Sequence, residues 1–77
     1  MCGIIGINSN KPVSATIINS LKKLEYRGYD SAGIATLSNG LINEIKSEGR
    51  VDNLEKNSLV QKMEGTIGIG HVRWATH

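Results

Sequence analysis

The chain has 77 residues, of which nine are Lys or Arg and seven are Asp or Glu, giving a formal net charge of +2. This small, mixed charge gives no reason to expect a nucleic-acid partner, and no apolar run approaches the ~18 residues of a membrane helix. The single Cys cannot form an internal disulfide, which favours a cytoplasmic location. Because the chain has no Phe and only one Trp, large core side chains are scarce, and we expect one small, incomplete domain.

The first half of the sequence predicts a strand, a helix and a second strand. Residues 2–7 form an Ile-rich apolar run, typical of a buried strand, with Gly3 and Gly6 where another backbone or a ligand comes close. A helix then follows from four apolar residues at the spacing of one helical face: Val13, Ile17, Leu21 and Leu24. Gly28 should end this helix, and residues 32–37 read as a second buried strand.

A hairpin is predicted next. Asn39 and Gly40 are the pair that a two-residue hairpin turn with positive φ angles prefers. Residues 41–46 should return as a third strand, more polar than the first two and close to a sheet edge.

The last third predicts a weaker helix and a fourth strand. Asp52 with Glu55 resembles a capping box that opens a helix through about Met63, with Leu59 and Met63 as its apolar pair. Residues 66–72 read as the final strand. The predicted order is β-α-β-β-α-β, an α+β chain without repeats or an internal linker.

Cys2 is the first candidate catalytic residue. If Met1 is removed, Cys2 carries a thiol and a free α-amine, whose reference pKa values both lie within about two units of neutral pH. The amine can accept the thiol proton and return it to a leaving group, which is nucleophilic catalysis by an N-terminal residue. A lone Cys in an apolar strand is also compatible with a small buried hydrophobe, and position alone leaves both interpretations open.

Two further segments carry polar side chains where the predicted elements meet. Residues 24–33 place an acid, a base, two aromatic rings and a hydroxyl between helix and strand, which fits either a functional connection or a helix end with a surface salt bridge. Near the C-terminus, Arg73 beside Trp74 fits a carboxylate clamp, or else an exposed Arg beside a core Trp. His71 and His77 lack a third clustered metal ligand, and the Gly pattern is not that of a dinucleotide site, so we expect no metal and no cofactor.

Taken together, three motifs resemble the class II glutamine amidotransferases. They are Met-Cys-Gly-Ile-Ile-Gly-Ile at 1–7, Leu-Glu-Tyr-Arg-Gly-Tyr-Asp-Ser-Ala-Gly-Ile at 24–34 and Gly-His-Val-Arg-Trp-Ala-Thr-His at 70–77. Each alone is less specific than the three in this order, and residues 35–65 match in layout only. The spellings Tyr-Arg-Gly-Tyr-Asp and Arg-Trp-Ala-Thr-His favour the branch that converts fructose 6-phosphate to glucosamine 6-phosphate. The sibling amidophosphoribosyltransferases typically carry His-Arg-Gly-Gln-Asp and Arg-Tyr-Ser-Thr.

The resemblance implies an N-terminal-nucleophile hydrolase fold, an αββα sandwich of which residues 1–77 are an N-terminal portion of the glutaminase domain. It implies L-glutamine as substrate, with Cys2 as the nucleophile that forms a γ-glutamyl thioester and releases ammonia. By the same resemblance Arg27 orients the nucleophile and Arg73 grips the α-carboxylate of glutamine. Thr76 and His77 complete that clamp. Trp74 lies on the loop that closes over the substrate.

The family pattern also extends beyond His77. Its Asn-Gly oxyanion hole, the acid that reads the α-amino group, and the isomerase domain that receives ammonia would all follow this residue. We therefore expect the 77-residue chain alone to be inactive and the full-length enzyme to be a homo-oligomer. The alternatives are another class II amidotransferase, such as amidophosphoribosyltransferase, and a non-catalytic αβ module that pairs through its strand edges.

Overall fold

The computed structural model describes residues 2–24 and 29–74, with positions 2, 29 and 74 described through their backbone. The described chain is a four-stranded antiparallel sheet with helices packed on one face. Its elements are β1 (Cys2–Asn8), α1 (Ser14–Leu24), β2 (Tyr29–Ser38), β3 (Leu41–Glu48), α2 (Val51–Glu55), α3 (Ser58–Gln61) and β4 (Ile67–Trp74). The strand order is β1-β4-β2-β3, so the first and third strands lie at the edges of this sheet. The predicted mixture of helices and antiparallel strands is confirmed.

One face of the sheet packs against the helices. Side chains of β2 and β4 that point to this face, such as Ile34 and Val72, meet Ile17 and Leu21 of α1 in one apolar cluster. Its buried members are Val13, Ile17, Ile18, Leu21, Ala32, Ile34, Val51, Leu54, Val60, Met63 and Val72. Gly70 lets α1 lie close to β4, because a methyl group there would overlap Cγ2 of Ile17.

The opposite face of the sheet is uncovered by any residue that the structure describes. Large apolar side chains with exposed fractions between 41% and 76% lie on it: Ile4, Leu37, Ile42, Ile67 and Ile69. A contiguous apolar patch of this kind marks an interaction surface. One helical layer on one sheet is what an N-terminal portion of the predicted sandwich contains.

The first strand differs from its prediction. We expected β1 to be buried because of its apolar composition, but it is an edge strand and Ile4 is 76% exposed. Burial was inferred from the run of Ile residues, which does not tell whether both faces of a strand are covered. Leu24, expected on the buried helical face, is also 40% exposed at the end of α1. The predicted helix end at Gly28 lies outside the described residues.

The predicted helix over residues 52–63 is two short helices. It breaks because the Oδ1 atom of Asn57 accepts a hydrogen bond from the backbone N–H of Leu59, 2.9 Å away, and so caps a new helix. The break shifts the buried face, so Val60 is buried and Leu59 is 60% exposed. The predicted capping box was also wrong, since Asp52 lies in the first turn of α2 behind Arg50, whose side chain makes no cap.

The hairpin prediction is confirmed. Asn39 and Gly40 connect β2 to β3 with φ angles of 52° and 75°. The third strand lies at a sheet edge, as its polar composition predicted. The second strand begins at Tyr29, three residues earlier than predicted, and it takes in part of the segment that we expected to be a connection.

Thr36 gives a test of this packing. Its Oγ1 atom is buried and has no hydrogen-bond partner among the described residues. Replacing it with the apolar isostere in Thr36→Val should raise the opening free energy of β2 and β4 by about 1–2 kcal/mol, because an unpaired buried hydroxyl is costly. Amide hydrogen exchange on either the isolated chain or a longer protein measures this energy. Thr16→Val, at an exposed position of α1, is the matched control and should change it little. If Thr36→Val instead exchanged its amide hydrogens faster, the hydroxyl of Thr36 would be stabilising the sheet, which would contradict its description as unpaired.

Candidate active site

The site is built where β1 and β4 pair at one end of the sheet. In the antiparallel register, the Cα atom of Cys2 is the partner of Arg73, and on the other side of β4 Arg73 is the partner of Ser31. Directly opposite positions of an antiparallel pair lie on the same face of the sheet. Cys2 and Arg73, which are remote in sequence, are therefore neighbours on the uncovered face.

Arg73 reaches from this position to an acidic residue of β2. Its Nη1 atom lies 3.4 Å from Oδ2 of Asp30, and the two side chains are 66% and 47% exposed. Asp30 stands where the β2–β4 register shifts between Tyr29 and Ser31. Sequence reasoning did not assign Asp30 to the site. It did single out the segment that contains this residue, but nothing local in the sequence pairs Asp30 with Arg73.

His71 lies on the same face, one step further along β4. It is half-buried, and its Cα atom is the partner of Ile4 on one side and of Gly33 on the other. A methyl group at Gly33 would overlap Nε2 of His71 and lie 3.1 and 3.2 Å from its Cδ2 and Cε1 atoms. The imidazole therefore lies directly over the backbone of Gly33, and a methyl group at this position would displace the ring.

The uncovered face thus changes character along the strands. Cys2, Ser31 and Arg73 occupy one end, His71 the middle, and exposed Ile and Leu side chains the rest. Beside a thiol-bearing position, an Arg fork offers two parallel hydrogen bonds to a carboxylate. The arrangement suits a small ligand with an acidic group at one end.

The other predicted site residues either lie outside the described ranges or are described through their backbone only. Arg27, Thr76 and His77 lie outside the described ranges. Trp74 ends β4, where its Cα atom is the partner of Tyr29. Within residues 2–24 and 29–74, no group of three or more His, Cys, Asp or Glu side chains is arranged to hold a metal ion, and no helix there is long and apolar enough to cross a membrane.

Comparison with known proteins finds relatives that match this chain over its whole length. No family model matches the chain. A glutamine–fructose-6-phosphate aminotransferase [isomerizing] of Brucella abortus is 57% identical over all 77 residues, and that of Bradyrhizobium diazoefficiens is 53% identical. The chain matches the N-terminal region of this aminotransferase. It spans 13% of the length of each of these relatives.

The fold comparison agrees with the aminotransferase match. A solved structure described as the allosteric regulatory enzyme of purine biosynthesis superposes with a TM-score of 0.86 at 28% identity, covering 99% of this chain and 16% of that one. This neighbour is an N-terminal-nucleophile amidotransferase. The predicted resemblance and fold class are therefore confirmed, and the relatives are enzymes.

The position of the His71 ring can be tested by adding a methyl group at Gly33, over which the ring lies. Gly33→Ala should displace the imidazole with little change in stability, because the ring is the half-buried end of a flexible side chain and can move aside. The NMR signals of the His71 ring report the displacement directly. Gly6→Ala is the control on the same face, since a methyl group there would meet Cγ2 of Ile69 at an ordinary 3.8 Å. Unmoved ring signals in Gly33→Ala would show that the imidazole lies elsewhere.

Proposed function

We propose that the chain is the N-terminal part of a glutaminase domain in which Cys2, exposed by removal of Met1, hydrolyses the side-chain amide of L-glutamine. The observation that carries the proposal is the register that makes Cys2 the partner of Arg73 on an uncovered sheet face. A nucleophile beside a carboxylate-binding Arg is the pair that an amidase for a free amino acid requires. The names of the relatives, which include glutamine, support the choice of substrate.

The chemistry follows from the two groups of an N-terminal Cys. The free α-amine takes the thiol proton, and the thiolate attacks the amide carbon of glutamine. The C–N bond then breaks, and the amine returns the proton to the leaving nitrogen, so that ammonia departs and a γ-glutamyl thioester remains. Water, deprotonated by the same amine, attacks the thioester and frees glutamate and the thiol.

The remaining roles follow the family resemblance. Arg73 binds the α-carboxylate of glutamine, with Thr76 and His77 completing the clamp. Arg27 orients the nucleophile, and Trp74 closes over the bound substrate. Of these residues, Arg73 has a described side chain. Its exposed guanidinium, at a position whose Cα atom is the partner of Cys2, supports the role.

The ammonia acceptor belongs to a longer protein. Since the chain spans 13% of its aminotransferase relatives, fructose 6-phosphate, the isomerase domain and homo-oligomerisation are properties of the whole enzyme in this proposal. The purine-biosynthesis neighbour supports a shared glutaminase half, while the 57% identity to aminotransferases against 28% for that neighbour favours the sugar-phosphate acceptor. The lone Cys suits the cytoplasm.

A chimera tests the proposal directly. The first 77 residues of the Brucella abortus relative are replaced by this chain, and ammonia release from glutamine is measured. The chimera should turn over glutamine, whereas the isolated chain should not, because the oxyanion donors would lie beyond residue 77. A chimera that unfolds cooperatively but releases no ammonia would contradict the glutaminase function and favour a non-catalytic module.

Cys2→Ala in this chimera should abolish both ammonia release and covalent labelling by an electrophilic glutamine analogue. Glutamine binding, measured calorimetrically, should stay within about threefold, because the thiol is needed for bond formation rather than for recognition. Persistent ammonia release would exclude Cys2 as the nucleophile.

Arg73→Lys should raise the KM for glutamine at least about tenfold, because one ammonium cannot reproduce the two parallel bonds of the guanidinium and each charge-assisted bond contributes about 1.5–3 kcal/mol. Lys11→Arg makes the reverse exchange at an exposed position beyond the Asn8 end of β1, opposite the end that carries Cys2, and should leave KM unchanged. Equal KM values for the two variants would remove Arg73 from the clamp.

A further inference from the structure

We propose that Asp30 is a positioning residue for glutamine recognition: its carboxylate holds the guanidinium of Arg73 in the orientation that receives the substrate's α-carboxylate. The inference rests on the proposed glutaminase function and adds to it the residue that sets the geometry of the clamp. The contact that carries it is the 3.4 Å approach of Oδ2 of Asp30 to Nη1 of Arg73.

The Arg73 side chain needs such a partner. It is 66% exposed, so solvent alone would leave its long side chain free to sample many rotamers. Holding one rotamer costs conformational entropy, and a site that has fixed its Arg beforehand does not lose this free energy on binding. Because Asp30 contacts one terminal nitrogen, the remaining N–H donors of the fork stay available for a ligand.

Asp30 is itself fixed by the backbone around it. The register of β2 against β4 shifts at this residue, and a shift of this kind changes the direction of a side chain relative to the regular alternation. On the other side of β2, the backbone N–H of Gly49 donates a 2.9 Å hydrogen bond to the Asp30 carbonyl. Gly49 has a φ of 84°, a conformation that favours glycine, and it lies in the turn that follows β3.

The pair does little for stability. Both side chains are about half exposed or more, and ion pairs of this kind contribute little to folding. An acidic residue at the register shift beside the clamp is better explained by the orientation that it imposes on Arg73. Removing it should therefore change substrate recognition without unfolding the protein.

The experiment compares Asp30 variants in the Brucella chimera with two substrates, L-glutamine and L-glutaminamide, which carries an amide in place of the α-carboxylate. Asp30→Asn should raise the KM for glutamine about five- to tenfold with kcat within about twofold, since only recognition is altered. Hydrolysis of glutaminamide should not change, because that substrate offers no carboxylate to Arg73. Asp30→Glu, which keeps the charge, should restore most of the glutamine KM.

A matched control removes the same charge nearby. Glu48 of β3 is exposed, and its Cα atom is the partner of Ser31, the residue after Asp30. Glu48→Gln should leave both substrates unaffected if direct contact with Arg73 matters rather than the local negative charge. Asp30→Ala supplies a second variant, and its melting temperature should match that of the unsubstituted chimera.

Three results would overturn the inference. An unchanged KM in Asp30→Asn would show that the ion pair has no part in recognition, and a lowered KM would show that Asp30 competes with the substrate for Arg73. Equal losses for glutamine and glutaminamide would indicate a merely structural role. In each case, Cys2-dependent ammonia release by the unsubstituted chimera would keep the proposed function standing, so the two failures are distinguishable.

Discussion

The pairing of β1 with β4 is the constraint on which the site depends. This antiparallel register runs from Cys2 opposite Arg73 to Asn8 opposite Ile67. A slip by one residue would move every side chain of β1 to the other face of the sheet and separate position 2 from the guanidinium. The packing of α1 on β1 and β4 resists that slip, since Gly3 and Gly70 both lie directly beneath helix side chains.

The two faces of the sheet carry different kinds of residue. The helical face has a buried apolar cluster and glycines that admit α1, whereas the other face carries exposed Ile and Leu beside the polar end with Arg73. An apolar surface of this kind next to a polar site becomes a closed pocket when a second layer covers it. In the proposed glutaminase, the described residues would form one wall of such a pocket.

Local sequence signals predicted the elements that depend on local interactions. The turn at Asn39 and Gly40 and the buried stripe of α1 through Ile17 and Leu21 need only neighbouring residues, and both predictions were confirmed. The break at Asn57 was missed because its side-chain cap competes with an otherwise continuous helical pattern. The exposure of Ile4 was missed because it depends on which strands flank β1.

The candidate site also depends on contacts that local sequence patterns do not predict. The motifs named Cys2 and Arg73 as members, through the family resemblance. The contact of Arg73 with Asp30 depends on strand order and on a register shift, neither of which a pattern along the chain encodes. Non-local pairing of this kind is visible only once the sheet is assembled.

The strand order also has a consequence for how the protein is made. In the described sheet, β1 is an edge strand whose neighbour is β4, the last of the described elements. During synthesis, β1 therefore cannot pair with β4 until residue 74 has left the ribosome. Pairing between strands so far apart in the sequence slows folding.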